Sequence, residues 1–297
     1  MSLDYVEIRL TIPADAVEAV ANLLIEEGSG GVVIDDESEA VLRAYFPADD
    51  RVDGRLQQLR TRLSDLVAIF PGMAEWREER SQVREEDWSN AWRDYYHPTR
   101  IGRHLVVTPT WEEPTLAAGD VVIRLDPGMA FGTGTHASTT LVMRRLEDLA
   151  AARDPRLVRG PVLDVGTGSG ILAITAAKLG GEGPITAIDV DPVAVRTARI
   201  NVAENGLDER VRVKLGEVRA EPEGSVQLLL SNIVAEVLEE IAGEVRRLLR
   251  PDGLWIASGL LDHYAADFAG KMQQQGFSDA AIASEAGWSA VTLRRLP

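Results

Sequence analysis

The sequence predicts an α/β protein in two parts, a small α+β domain followed by a larger domain built around a mostly parallel sheet. Three observations support this prediction. Strand-like and helix-like segments follow one another in the order β-α-β-β-α-β in residues 1–84, strands alternate with helices from about residue 105, and a glycine-rich turn joins one of those strands to its helix. The length of 297 residues agrees, because single domains usually hold roughly 100 to 200 residues.

The first domain, residues 1–84, has the ferredoxin-like split βαβ layout. Tyr5–Ile12 alternates apolar and polar residues as a strand does, and a helix follows in which Asp15 and Glu18 have capping-box spacing. Two short strands (GVVIDD and VLRAYFP), a helix over 52–69 and a last strand (AEWREERSQV) complete the order. This part has no glycine-rich loop and no cluster of catalytic residue types, so we expect it to bind a partner rather than to carry out chemistry.

Residues 85–104 are predicted to form a linker helix. Trp88, Trp92 and Tyr95 fall at i, i+4 and i+7, which places three aromatic rings on one helical face, and Pro98 would end the helix. Such a stripe is typical of a packing seam rather than of a ligand site. We therefore expect the helix to dock against one of the two domains.

The second domain, 105–297, repeats strand and helix. Predicted strands are PVLDV, ITAIDV, VRVKL, VQLLLSN and LWIAS, with a final strand pair near AIASE and SAVTLRRL. Predicted helices are SGILAITAAKLGG, a helix over 192–204 that ends at an Asn-Gly pair, one over 233–249 that ends at RPDG, and one after Asp262. This alternation indicates βαβ units and a parallel sheet.

The composition excludes several functions. With 31 Lys and Arg against 47 Asp and Glu the net charge is −16, so direct nucleic-acid binding is not expected and a basic partner is favoured, although net charge also simply maintains solubility. The absence of cysteine excludes disulfides, thiolate zinc sites and a cysteine nucleophile. We expect a cytoplasmic protein, because no apolar run reaches the length of a membrane helix and the N-terminus does not resemble a signal peptide. We also expect a monomer without a metal site.

The sharpest local motif is LDVGTGSG, Leu163–Gly170, in which glycines fill a strand-to-helix turn. Gly166, Gly168 and Gly170 allow the backbone to turn tightly and to approach a ligand. The dinucleotide spacing G-x-G-x-x-G fails at Ile171, and the Lys-Ser/Thr of a phosphate loop is missing. The turn therefore predicts a ligand without a phosphate requirement.

Asp189 stands at the end of the next predicted strand, where a carboxylate can accept hydrogen bonds from both hydroxyls of a ribose. Asp191 precedes Pro192 and matches a helix N-cap with proline at the first helical position. The alternative is that both aspartates only cap or turn the chain. With Asp164 beside the glycine turn, the set predicts a nucleoside ligand rather than a nucleotide.

On these residues, positions 120–297 resemble the class I methyltransferases that use S-adenosyl-L-methionine. The resemblance implies a Rossmann-like sheet with an antiparallel last strand. It also implies that the segment after the fourth strand, SNIVAEVL, faces the transferring methyl group. That segment has Asn232 but lacks the Pro-Pro-aromatic sequence usual for planar amine or amide acceptors, and cytosine methylation by the usual route needs a cysteine. An sp³ amine, which needs only deprotonation and in-line positioning, is compatible with this segment.

The stretch DPGMAFGTGTHASTTL, residues 126–141, extends the likeness to nearly the whole chain. Together with the glycine turn and the Asn-Ile segment, it resembles the ribosomal protein L11 methyltransferases (PrmA). The resemblance implies methylation of lysine side-chain and N-terminal amines of one basic ribosomal protein, which the small domain captures. Carried over by position, the cofactor-binding residues are Thr140, Gly166, Gly168, Asp189 and Asn232.

Catalytic residues stay unassigned in this interpretation. His136 sits in a tight loop, where a single histidine is more often a structural hydrogen-bonding group than a base, and Ser138 or Thr139 could cap the helix that follows. Three alternatives stay open. The acceptor could be another protein lysine or a small-molecule amine, the chain could be a ribosome-associated cofactor-binding factor without turnover, or it could be a nicotinamide dehydrogenase, against which the failed spacing counts.

Overall fold

The computed structural model describes residues 5–29, 32–34, 40–83, 97–125, 136–278 and 281–297. The chain falls into two compact units, Met1–Tyr96 and His97–Pro297. None of the helices in these described ranges is long and apolar enough to cross a membrane.

The first unit has the predicted β-α-β-β-α-β order, and its elements are β1 (Tyr5–Ile12), α1 (Val17–Glu26), β2 (Val32–Ile34), β3 (Ala40–Pro47), α2 (Val52–Asp65) and β4 (Arg77–Val83). The sheet order β2-β3-β1-β4, antiparallel throughout, is that of a ferredoxin-like fold. Two details differ from the sequence prediction. The second helix ends at Asp65 and continues only as a short 3₁₀ turn, and α1 begins at Val17 with Ala16 rather than Asp15 at its N-cap.

The core of this unit follows the two periods of its elements. Alternate residues of β1 point to one side, where they meet buried leucines spaced three and four apart on α2; the buried residues are Val6, Ile8, Leu10, Ile12, Leu56, Leu59 and Leu63. The opposite side of the sheet carries polar residues. The sequence pattern therefore fixes which side of the sheet is packed.

The predicted linker helix is described only from residue 97 onward, and there the prediction is wrong. Thr99–Ile101 forms strand β5, which pairs antiparallel with β6 (Leu105–Pro109), and β7 (Val121–Leu125) pairs parallel with β6. A turn at Gly102, with φ of +66°, makes the β5–β6 hairpin possible. The aromatic stripe lies outside the described residues.

The rest of the second unit is a seven-stranded sheet with helices. Its strands are β8 (Val162–Val165), β9 (Ile185–Asp189), β10 (Val211–Leu215), β11 (Val226–Asn232), β12 (Leu249–Leu261), β13 (Ala281–Glu285) and β14 (Trp288–Arg294). Its helices are α3 (Ala137–Ala151), α4 (Pro155–Val158), α5 (Ile171–Lys178), α6 (Pro192–Glu204), α7 (Ala235–Leu248) and α8 (Asp262–Gln274). The order is β10-β9-β8-β11-β12-β14-β13, and β14 is antiparallel to both neighbours, which confirms the predicted reversed last strand.

Both faces of this sheet are packed. Leu228 and Leu230 belong to one core cluster, whereas Leu229 between them belongs to the other, with Trp255 and Phe268. A strand buried on both sides has an uninterrupted apolar sequence, which explains the run VQLLL. Because both faces are packed, polar side chains that contact a ligand lie at the ends of the strands. The strand order runs in opposite directions on the two sides of the β8–β11 pair, and open α/β sheets bind ligands at such a point.

Candidate active site

The glycine turn begins where β8 ends. Gly166 and Gly168 have φ values of +69° and +54°, in the left-handed region that other residues rarely adopt. A Cβ on Gly166 would also lie 2.5 Å from Cγ2 of Ile233, so a side chain there would force the turn or Ile233 to shift. The Gly166 amide donates to the carbonyl of Ile188 on β9 at 3.0 Å. The turn is therefore held closely between two neighbouring strands, with its backbone accessible from the sheet edge.

Beneath the turn lies Asp164, which is fully buried. Its Oδ2 accepts hydrogen bonds from the Thr167 hydroxyl at 2.6 Å and from the Ala173 amide at 3.2 Å. Its Oδ1 is buried and has no hydrogen-bond partner among the described residues. Burial raises the pKa of Asp164 to about 7, and the nearby Asp189 carboxylate acts in the same direction. An unsatisfied buried acceptor is the kind of atom that a bound ligand with a donor group stabilises.

Asp189 is the last residue of β9, and backbone amides fix its carboxylate. Oδ2 accepts from the Gly168 amide at 3.0 Å, and Oδ1 accepts from the Asp191 amide at 3.0 Å. Each carboxylate oxygen keeps a further lone pair, so the half-buried group can still accept hydrogen bonds from a diol. Asp191 itself accepts from the Val193 amide at 2.8 Å and caps α6, which confirms the prediction for that residue.

Val190, between these two aspartates, was not singled out from the sequence. Its side chain is 71% exposed, beside a carboxylate that is oriented toward the glycine turn. Single exposed apolar residues are common on protein surfaces, so only this position gives Val190 significance. A planar ring attached to a ribose at Asp189 could cover it. In the sequence, the feature that indicates this role is an apolar residue directly after Asp189.

Asn232 ends β11 and contacts the start of α3. Its Nδ2 donates to Oγ1 of Thr139 at 3.0 Å. Thr140, the residue chosen from the sequence, instead donates its hydroxyl to the carbonyl of Ala137 at 3.0 Å, within its own helix. Both threonines are buried. The structure therefore brings Thr139, and not the Thr140 hydroxyl, to the asparagine.

His136 occupies the N-cap of α3, so neither Ser138 nor Thr139 is the cap. Its Nδ1 accepts from the Ser138 amide at 3.4 Å, and its ring lies edge-on to Trp288 with 4.8 Å between centroids. Burial lowers the pKa of His136. These contacts agree with the structural role expected from the sequence. The rest of the motif, 126–135, lies outside the described residues.

Strand register brings the separate parts to one edge. Parallel β9, β8 and β11 are neighbours, with Leu230 opposite Asp164, so Asp164, Asp189 and Asn232 all stand at carboxyl ends of adjacent strands. Gly259 in β12 supports the arrangement, because its φ is +89° and a Cβ there would collide with the carbonyl of Ile233. Gly166 and Gly259 thus make room for Ile233. This requirement was not predicted from the sequence.

The carboxyl ends of these strands thus carry a glycine turn, the carboxylate of Asp189, an exposed valine and the Asn232–Thr139 pair. The buried Asp164 lies beneath the turn, and its Oδ1 has no partner among the described residues. The turn at 166–170 carries no cationic side chain for a phosphate. These features suit a nucleoside with a polar, positively charged tail. With the strand order and the reversed β14, the fold and site define a class I S-adenosylmethionine-dependent methyltransferase.

Comparison with known proteins specifies the class further. The family described as ribosomal protein L11 methyltransferase (PrmA) matches residues 4–296, and the chain belongs to this family. A ribosomal protein L11 methyltransferase of Pelotomaculum thermopropionicum is 39% identical, over 98% of this chain and 99% of that one. One of Desulfitobacterium hafniense is 35% identical, over 96% of both chains. The crystal structure of a ribosomal protein L11 methylase from Lactobacillus delbrueckii superposes with a TM-score of 0.60 at 32% identity, covering 68% of this chain and all of that one.

Proposed function

We propose that this chain transfers methyl groups from S-adenosylmethionine to amines of ribosomal protein L11, at lysine side chains and at the N-terminus. The observation that carries the proposal is the Asn232–Thr139 pair, 3.0 Å apart at the sheet edge that also holds the glycine turn and Asp189. It places a directed polar group beside a nucleoside-type site without a phosphate-binding element. The family to which the chain belongs supports the choice of substrate.

Five positions would hold the cofactor. Asp189 would accept hydrogen bonds from the ribose hydroxyls, the backbone at Gly166 and Gly168 would allow close approach, and Val190 would cover one face of the adenine. The free Oδ1 of Asp164 lies beneath the same turn and suits the positive charge of the methionine end. When bound, the cofactor supplies an electrophilic methyl group on a sulfonium.

The residues of this chain would orient the acceptor amine. Because Nδ2 of Asn232 donates to Thr139, the other amide atom, Oδ1, is left to accept an N–H of an incoming amine. A lysine amine has a pKa of about 10.4 and is mostly protonated at neutral pH, and desolvation at the site would lower that pKa. Holding a neutral amine in line with the methyl group provides catalysis by positioning, without a dedicated base.

The two units would divide the work. Residues 1–84 would recognise the substrate protein, since the described residues of that unit form a sheet with its own core and hold none of the proposed cofactor-binding positions, and residues 105–297 would bind the cofactor and carry out transfer. The acidic chain would favour a basic ribosomal protein by electrostatic steering.

The test is incubation of the chain with labelled S-adenosylmethionine and separated ribosomal proteins, followed by mass spectrometry of each. We expect label on L11, at lysine and N-terminal amines. Label on another protein would refute the substrate, and label on none, with calorimetry showing no S-adenosylhomocysteine binding, would refute the methyltransferase assignment itself. A chain lacking residues 1–84 should keep cofactor binding and lose transfer to L11, and retained transfer would contradict the proposed division of work.

A further inference from the structure

One face of α6 reaches both the glycine turn and the end of β7. Ala198, Asn201 and Asn205 are spaced three and four residues apart, so they lie on one side of the helix and its C-cap. All three are buried, and Asn201 is completely inaccessible to solvent. Buried amides of this kind need hydrogen-bond partners, and the partners here are informative.

Two residues of α6, Ala198 and Asn201, contact the glycine turn. Gly170 has φ of +86°, and a Cβ there would lie 3.3 Å from Cβ of Ala198, so helix and turn are closely packed. Asn201 then donates from Nδ2 to the carbonyl of Ser169 at 2.8 Å. The turn that carries Gly166 and Gly168 is therefore attached to α6 through its last two residues, Ser169 and Gly170.

At β7, Asn205 pairs with the backbone of Arg124 as a neighbouring strand would. Its Oδ1 accepts from the Arg124 amide at 3.0 Å, and its Nδ2 donates to the Arg124 carbonyl at 2.6 Å. The same Nδ2 donates to the carbonyl of Asn201 at 2.7 Å, which joins the two asparagines. Arg124 is the next-to-last residue of β7, and the chain continues directly into the motif DPGMAFGTG.

We propose that Asn201 and Asn205 are positioning residues of the cofactor site. By attaching the glycine turn and the end of β7 to one rigid helix face, they fix the separation between the cofactor-binding backbone and the end of β7. Loss of either side chain would leave a backbone group without its partner and would let the two segments shift independently. This inference rests on the proposed function, because its effect is on cofactor binding and transfer.

The experiment compares Asn201→Ala and Asn205→Ala with Arg199→Ala. Arg199 is a matched control, because it lies on the same helix and also donates from its side chain to a backbone carbonyl, that of Val213 on β10, at 3.1 Å. For each variant we would measure the Kd of S-adenosylhomocysteine by calorimetry, kcat and KM for L11, and the Tm. We expect each asparagine variant to raise that Kd about tenfold and to lower kcat. Arg199→Ala should leave both unchanged.

Equal Kd and kcat values in all variants, with only the Tm reduced in the asparagine variants, would overturn the proposal and leave a structural role. Should the alanine variants fail to fold, Asn205→Asp keeps the acceptor for the Arg124 amide, and amide exchange can be measured on the unaltered chain. S-adenosylhomocysteine should slow exchange of the Arg124 amide by about fivefold, and unchanged exchange there would also overturn the proposal. An unaltered chain that binds no cofactor would instead refute the proposed function, and this inference with it.

Discussion

The four-stranded and the seven-stranded sheets of this chain differ in how their polar groups are paired. In the first unit, one face of the sheet is polar, and Glu7 on that face is paired with neighbouring strands: it accepts from the Tyr45 hydroxyl at 3.3 Å and from the Ser81 hydroxyl at 2.9 Å. In the second unit, both faces are packed, and Asp164 at the carboxyl edge keeps a buried oxygen without a partner among the described residues. The carboxylate of Glu7 is thus paired within its own sheet, whereas Asp164 keeps an acceptor that a ligand with a donor group would satisfy.

The largest effect on the ligand site of the second unit is expected from Gly166→Ala. A Cβ at φ of +69° would lie 2.5 Å from Cγ2 of Ile233, so either the turn or the Ile233 side chain must move. We expect S-adenosylhomocysteine affinity to fall by roughly a hundredfold and the free energy of unfolding to fall by about 2 kcal/mol. Gly216→Ala is the control, since a Cβ there meets nothing within 4 Å. Calorimetry that shows equal affinity for both variants would contradict the assigned role of the turn.

The second test compares two neighbouring aspartates of the edge. Asp189→Ala should weaken cofactor binding by roughly thirtyfold, because it removes the proposed ribose acceptor. Asp191→Ala should cost about 1 kcal/mol of stability through the lost cap of α6 and leave the affinity unchanged. Calorimetry and chemical unfolding of both variants separate the two roles. Weakened binding in the second variant alone would show that the ligand acid was assigned to the wrong residue.

Third, Thr139→Val and Thr140→Val distinguish the residue chosen from the sequence from the one that contacts Asn232. Thr139→Val removes the partner of the asparagine amide and should lower kcat for methyl transfer about tenfold by misorienting the acceptor. Thr140→Val removes a bond within α3 and should change kcat less than threefold. Steady-state kinetics decide between them, and a larger loss in the second variant would restore the sequence-based choice.

The last test concerns the pH dependence of stability. The folded pKa of Asp164 is about 7, above its usual 3.8, so between these values the folded state holds a proton that the unfolded state has lost. Stability should therefore fall as pH rises from about 4 to 7, and Asp164→Asn should flatten the profile in that window. Urea unfolding of Asp164→Asn and of the unaltered chain across this pH range checks the expectation, and an unchanged slope in Asp164→Asn would contradict the assignment.

Local signals were sufficient for most of the fold. Alternating or continuous apolar runs and period-3.6 patterns predicted most strands and helices of both units, including α6 and β11 with their observed bounds, but not β6 or the short helix α4. The linker prediction failed over residues 99–101, because a strand of three residues after a proline has no periodicity of its own and depends on pairing with β6. The capping box in α1 failed for a related reason, since a 3₁₀ turn displaces the start of the helix.

The sequence by itself determined the class of site, because glycine spacing, an acid at the end of the next strand and the absence of cysteine are properties of the chain order. Only the tertiary structure decided which atoms meet. The choice of Thr139 over Thr140, the place of Ile233 between two glycines and the attachment of Asn205 to β7 depend on strand register and helix packing. Such contacts join residues far apart in the chain, where no local pattern specifies a distance.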